Sequence, residues 1–214
     1  DAIAMSPWLS LLCGVLVLGA AAYLESHARR FGEELTREEG KQVGLATDEF
    51  MRAAQTLRYY AIEAQSYGGE TFPNDDAGMT VYTVREPLGV VTVISPWNFP
   101  VSIPARKIAP ALICGNTVVF KPSSDAPLTG YRLTEAFVEA GLPPGVVNFV
   151  TNAPADAGPV VEAMVAHPAV RRVNFTGSTK VGRIIAQLGA KYLKQCVLEL
   201  GGKAPFVVLD DADL

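Results

Sequence analysis

Residues 90–121 constrain the fold of this chain more than any other stretch. Gly89-Val90-Val91-Thr92-Val93-Ile94 is a short, β-branched, apolar run of the kind that forms a strand buried on both faces. Ser95-Pro96-Trp97-Asn98-Phe99-Pro100 follows, and its two prolines stop the strand and stiffen the turn. Ser102 to Cys114 carries helix formers, with Ile108, Ala111 and Leu112 at helical spacing, and Gly115 suits the position just past a helix end. Asn116 to Lys121 is a second buried-strand run. Strand, helix and strand in this order feed a parallel sheet through a right-handed crossover. Ligands of open parallel sheets sit beyond the carboxyl ends of the strands. Here those ends carry Ser95 to Asn98 and Lys121 with Ser123-Ser124. A cation beside hydroxyl and amide donors suits an anionic ligand such as a dinucleotide.

The same alternation continues. Pro127 to Ala140 reads as a helix ended by Gly141, Val146 to Val150 as a strand, Pro159 to Ala166 as a helix and Val170 to Phe175 as a strand. Gly177-Ser178 opens a helix running to about Leu193, and Cys196 to Glu199 and Pro205 to Leu209 read as further strands. This is the pattern of a doubly wound α/β sheet. Upstream, Arg29 to Leu35 is a charged helix face closed by Glu38-Glu39-Gly40-Lys41. Phe50 to Ala64 is a second helix, with Leu57, Tyr60, Ala61 and Ala64 on one side. Gly68-Gly69 breaks it, and Asn74 to Gly78 is a turn between the extended runs 70–72 and 80–84. Residues 2–24 carry no charge, and the apolar run from Trp8 approaches the ~17–25 residues that span a bilayer. It reads as a membrane anchor or as a helix covered by the core or by a partner. The second reading is preferred, because nothing downstream needs a membrane.

The chain has 214 residues, room for one ordinary domain or two small ones, and a net charge of −4. That balance gives no electrostatic case for nucleic acid or an acidic membrane. Cys13, Cys114 and Cys196 are far apart and odd in number, without disulfide or zinc spacing, which fits a reducing, cytoplasmic setting. Two histidines exclude a histidine metal cluster, and Asp210, Asp211 and Asp213 read as a solvated turn, so no metal is expected. The chain starts on Asp1 and stops on Leu214, and both ends read as cut.

On the residues alone, each polar position has two readings. Asn98 is an oxyanion donor or an Asx-turn residue holding its own loop. Lys121 meets ribose or phosphate, or is a surface lysine. Ser178 donates to a phosphate at a helix N-terminus, or is an ordinary cap. Glu199, ahead of Gly201-Gly202, is a general base or a salt-bridged acid. Lys107 is a site cation or a helix-surface charge. Asp125 is a candidate N-cap for the helix that follows.

Pro96-Trp97-Asn98-Phe99-Pro100, Lys121-Pro122-Ser123, Phe175-Thr176-Gly177-Ser178 and Leu198-Glu199-Leu200-Gly201-Gly202-Lys203, in this order, resemble the motifs of the NAD(P)-dependent aldehyde dehydrogenase superfamily. The resemblance runs from roughly Ala20 to Leu214. It implies the Rossmann-like, mostly parallel sheet of that family's nucleotide-binding domain, incomplete, with part of a β-hairpin oligomerisation arm. Residues 1–66 would be its N-terminal helical segment, 67–88 the hairpin and 89–214 the NAD(P)-binding core, with the catalytic domain absent. It implies oxidation of an aldehyde to its acid with NAD or NADP through a cysteine thioester. That cysteine would lie beyond Leu214, leaving this chain inactive alone. Asn98 would donate to the oxyanion, Glu199 would activate the hydrolytic water, and Lys107 resembles a lysine near that acid. Cofactor contacts would come from Ile94, Ser95, Pro96, Trp97, Lys121, Ser124, Phe175, Gly177, Ser178, Val181, Leu200 and Gly201. The parent would be a homodimer or homotetramer with a small aldehyde as substrate. The alternatives are a non-catalytic nucleotide-binding fragment and a membrane-anchored protein.

Two departures matter. Ser124 stands where many members place a ribose-binding glutamate. Thr151 to Gly158 keeps only the last glycine of the usual dinucleotide fingerprint. Residues 151–156 with 167–175 are similar to the salicylaldehyde, vanillin and benzaldehyde dehydrogenase branch, which points to aromatic aldehydes.

Overall fold

Parallel strands buried on both faces need continuous apolar runs, and two such runs, at 90–94 and 117–121, lie inside a five-stranded sheet in the computed structural model. It describes residues 7–66, 68–76, 78–202 and 204–213, with side chains described from residue 12 onward. Lys203 of the last motif, Ala77 of the hairpin turn and the first residues of the uncharged lead lie outside them.

The sheet runs β3 (Val90–Ile94), β4 (Thr117–Lys121), β5 (Val147–Phe149), β6 (Val170–Gly177) and β7 (Gln195–Leu200), in the spatial order β5-β4-β3-β6-β7. Every neighbouring pair is parallel. Helices α3 (Ser102–Ile113), α4 (Pro127–Glu139), α5 (Ala157–Ala166) and α6 (Thr179–Lys191) make the connections. Gly115 and Gly141 end α3 and α4 at φ +76 and +88, the left-handed conformation their positions require. The chain steps outward from β3 to β5, then returns to lay β6 on the other side of β3. The order therefore reverses between β3 and β6, and a crevice opens there at the carboxyl ends.

Two helices precede the sheet, α1 (Pro7–Glu39) and α2 (Val43–Glu63). Gly14 faces Ala61 and Gly32 faces Thr47, so the pair is antiparallel. The apolar lead and the charged stretch after it are one helix. Val17, Ala20, Ala21, Leu24, Ala28, Phe31 and Leu35 recur three and four apart and are all buried. They join Phe50 and Leu57 of α2, Ile108 of α3, Leu133 and Phe137 of α4, and Val93, Val118 and Phe120 of the sheet in one core. From Val17 on, the apolar lead is thus covered by its own protein, while Leu12 and Val15 stay more than half exposed, and no described helix is long and apolar enough to cross a membrane. On the opposite face a smaller core gathers Ile94, Val165, Val173, Phe175 and Ile185 beneath α5 and α6.

The hairpin shrinks to two-residue strands, β1 (Thr71–Phe72) and β2 (Val81–Tyr82), paired antiparallel and exposed. Pro205 to Leu209 is not a strand. Among the described residues it pairs with no other backbone, and Phe206 is 91 % exposed; a β-branched run becomes a strand only where another backbone completes its ladder. α2 also begins seven residues before the expected Phe50, since Ala46 and Glu49 belong to its buried face.

Candidate functional site

The carboxyl edge of the sheet is assembled strand by strand. After β3, the Ser95 amide donates to the Lys121 carbonyl at 3.2 Å, extending the ladder by one residue. Ser95 is thereby buried, and its Oγ makes no hydrogen bond among the described residues. A buried hydroxyl without a partner costs about 1–3 kcal/mol, which marks a position that a ligand would complete. Pro96 then turns the chain, leaving Trp97 and Phe99 55 % and 45 % exposed at the rim.

Lys121 ends β4 at 5 % exposure, so it is not a surface lysine. Its Nζ donates to the Pro122 carbonyl at 2.9 Å and, among the described residues, pairs with no carboxylate. Burial pushes its ammonium pKa down. Of its three donors, two remain for a ligand. Ser124 beyond it is exposed.

Asp125 does not cap α4. Its carboxylate accepts from Ser123 Oγ at 3.1 Å, and the N-cap position is Ala126, which has no side chain to offer. Glu38 of α1 supplies the cap instead. Its oxygens accept from the Leu128 and Thr129 amides at 2.6 and 3.0 Å and from Thr129 Oγ1 at 2.6 Å. Glu49 of α2 does the same for α3, accepting from the Val101 and Ser102 amides at 3.1 Å each. Two helix N-termini facing the ligand edge are therefore already neutralised by carboxylates of the protein. That of α5 carries Asp156 at its N-cap, whereas that of α6 has no acid at its cap or in its first turn and no described carboxylate on its amides. Ser178 is its N-cap, with Oγ accepting from the Val181 amide at 3.3 Å. A Cβ on Gly177 would lie 2.5 Å from the Phe175 ring, so only glycine lets the backbone lie this close. Gly201, after β7, comes beside Thr179 of the same α6 terminus. Val181 and Leu200 expose apolar surface there, at 42 % and 39 %.

Ile94 and Phe175 are core side chains, so only their main chains are open to a ligand. The remaining edge fits a dinucleotide. It has a free helix N-terminus for the pyrophosphate, a buried cation and an orphan hydroxyl nearby, and apolar lips for flat rings.

The candidate chemical groups lie on the α3 side of the sheet. Asn98 is exposed, and its side-chain amide bonds no described group, so it does not form the Asx turn. Lys107 is buried rather than on the helix surface, and donates to Asn174 Oδ1 at 2.5 Å. Burial pushes its pKa down, and the charge of Glu199 opposes that. Glu199 pairs with Thr176 in the ladder and so shares a face with Asn174. It makes no salt bridge among the described residues. Lys107 and Asn174 also line a cleft of about 1080 Å³, with Leu88, Asn116 and Arg172 toward the amino ends of the strands. None of the expected cofactor residues lines it. The burial of Cys13 and Cys196 raises their thiol pKa values, opposite to what a nucleophile needs. Among the described residues no group of His, Cys, Asp and Glu could hold a metal. Lys41, Glu38, Glu49 and Asn174 carry no local sequence signal, because each acts on a segment far away in the chain.

The aldehyde dehydrogenase family model matches residues 14–214. The vanillin dehydrogenase of Pseudomonas fluorescens is 47 % identical over 198 residues, covering 92 % of this chain and 41 % of its own length. A salicylaldehyde dehydrogenase from Pseudomonas putida G7, solved with salicylaldehyde, superposes with a TM-score of 0.90 at 42 % identity, over 98 % of this chain and 43 % of that one. PnpE, solved with nicotinamide adenine dinucleotide, gives 0.85 at 37 % identity, over 91 % and 39 %. The chain thus spans about two fifths of the relatives it matches.

Proposed function

The chain belongs to the aldehyde dehydrogenase family, and on that premise we propose that it forms the dinucleotide-binding side of an enzyme oxidising an aldehyde to its acid. The observation that carries this is the crevice between β3 and β6. Ser95 Oγ lacks a described partner there, Lys121 holds unused donors, and α6, of the four connecting helices, presents the N-terminus with no acid at its cap and no described carboxylate on its first-turn amides. NAD or NADP would lie across it, with Ser178 and the α6 amides on the pyrophosphate, Lys121 and Ser124 on the adenosine ribose, and the main chain of 94–97 alongside. When bound, the nicotinamide accepts the hydride.

In this reading residues 89–214 are the nucleotide-binding core, 1–66 its supporting helices, and 67–88 part of an arm that contacts another subunit of a homodimer or homotetramer. Three cysteines without disulfide spacing suit the cytoplasm. A cysteine outside these 214 residues attacks the aldehyde carbon, and the Asn98 amide donates to the oxygen as it gains charge. Glu199 then takes a proton from the water that displaces the thiolate from the acyl carbon, releasing the acid. Lys107, fixed by Asn174, sets the local potential at Glu199. Likeness to enzymes named for vanillin and salicylaldehyde supports an aromatic aldehyde.

The test is Glu199→Gln in the enzyme carrying this chain. A burst of reduced cofactor equal to the enzyme concentration is expected to survive. Steady turnover is expected to fall by about 10²–10⁴-fold, the usual contribution of a general base. Loss of the burst together with the steady rate assigns Glu199 elsewhere. Steady turnover by these 214 residues alone overturns the external nucleophile.

A further inference from the structure

The turn carrying Asn98 is held by a residue 57 positions earlier in the chain. Lys41 lies between α1 and α2, where Gly40 at φ +85 redirects the backbone. Its Nζ donates to the Asn98 main-chain carbonyl at 2.6 Å and to Glu49 Oε2 at 2.5 Å, and lies 3.1 Å from Glu39 Oε1. The ammonium also rests 4.7 Å from the centre of the Phe99 ring. Lys41 and Glu49 side chains are only 14 % and 3 % exposed, so solvent screens the pair little.

The two residues divide the turn between them. Glu49 holds its exit, through the Val101 and Ser102 amides and through its own carbonyl, which accepts from Ser102 Oγ at 3.3 Å. Lys41 holds its middle, at Asn98. Pro96 and Pro100 stiffen the flanks, but 97–99 are exposed and no other described hydrogen bond fixes the Asn98 main chain. The bond to Asn98 stabilises little core, since it grips an exposed turn. Its effect is to fix the direction of a side-chain amide that bonds no described group.

We propose that Lys41, braced by Glu49, is a positioning residue that aims the Asn98 amide at the reacting oxygen. This rests on reading Asn98 as the oxyanion donor. Misplacing a catalytic group by about 1 Å can lower the rate ~100-fold, while losing an oxyanion donor outright lowers it ~10²–10³-fold. Loss of the clamp should therefore fall below loss of Asn98 itself.

The test uses Lys41→Met combined with Glu39→Gln and Glu49→Gln in the enzyme carrying this chain. The three changes remove the lysine together with both of its carboxylate partners, so no buried charge is left unpaired, and the amide oxygen at position 49 still caps α3. Trp97, adjacent to Asn98, reports the turn independently of turnover once Trp8 and every tryptophan outside these 214 residues are changed to Phe. Its fluorescence anisotropy should fall, kcat should drop roughly 10- to 100-fold, and the NAD dissociation constant should move less than about threefold. Lys41→Arg should recover most of kcat, because a guanidinium can still bridge the carboxylate and the carbonyl. Unchanged Trp97 anisotropy, or a looser turn with unchanged kcat, overturns the proposal. Asn98→Ala with full activity overturns the oxyanion reading. Asn98→Ala impaired beside an unimpaired triple variant overturns the clamp alone.

Discussion

Lys121 and Ser124 decide how the adenosine end of a dinucleotide would be read. Lys121 is a buried cation that donates to one carbonyl, and Ser124 is an exposed hydroxyl three residues on. A carboxylate at 124 would repel a 2′-phosphate by about 1–3 kcal/mol, through like charge and an unpaired contact. Serine removes that penalty. Asp125 is engaged with Ser123, and the first-turn amides of α4 are engaged with Glu38, so neither is free to bind the phosphate. The enzyme carrying this chain is therefore expected to use NADP as well as NAD, with kcat/KM values within about 100-fold of each other. Ser124→Glu should weaken NADP by roughly 5- to 150-fold, the equivalent of ~1–3 kcal/mol, and leave NAD nearly unchanged. Titrating both cofactors against both proteins checks this. A serine form that already rejects NADP would move the discrimination to Glu38 or Asp125.

At the scale of elements, the crossing of α1 and α2 sets the reach of Lys41 and Glu49. Its closest point is Gly32, where an added Cβ would lie 2.6 Å from Thr47 Oγ1, 2.7 Å from its amide nitrogen and 2.9 Å from its Cα. Two of those atoms are backbone, so α2 as a whole would have to move. Overpacking of this kind costs about 1–3 kcal/mol, against a helix-propensity gain of about 1 kcal/mol for replacing glycine. Gly32→Ala should thus destabilise by up to roughly 2 kcal/mol. Gly44, in the first turn of α2, has no heavy atom within 4 Å of its Cβ position. There only propensity acts, and Gly44→Ala should stabilise by up to about 1 kcal/mol. Opposite shifts in thermal midpoint for one chemical change would confirm that interhelical spacing governs the sign. A rise for both would show that the helices separate freely.

For the whole molecule, the question is whether the leading helices and the sheet unfold as one. Phe31 of α1 is fully buried, with its ring centre 5.4 Å from that of Phe50 and the Arg132 guanidinium of α4 5.2 Å above it. The core around it continues through α3 and α4 into β3 and β4. Phe31→Ala should cost about 3–5 kcal/mol, a large share of the ~5–15 kcal/mol that holds a domain together. Because the core is shared, the loss should lower the helical circular-dichroism transition and the Trp97 fluorescence transition together. Two separated transitions would make α1 and α2 an independent unit.

What the sequence determined by itself was the sheet and most of the ligand edge. The inner strands β3 and β4 are continuous apolar runs rich in β-branched residues because both of their faces are covered, and Gly115 and Gly141 mark helix ends that need positive φ. Those are local patterns, readable within a dozen residues, and they place Ser95, Lys121, Gly177 and Glu199 at strand ends. Only the tertiary structure decided what covers each apolar surface and which acid reaches each helix end. The apolar lead is the buried face of α1, whereas Pro205 to Leu209, as apolar in sequence, found no backbone to pair with. Glu49 caps α3 from 52 residues away and Glu38 caps α4 from 91, while the adjacent Asp125 caps nothing. A side chain's choice between a local and a distant partner depends on how α1 and α2 pack, and no short-range spacing encodes that.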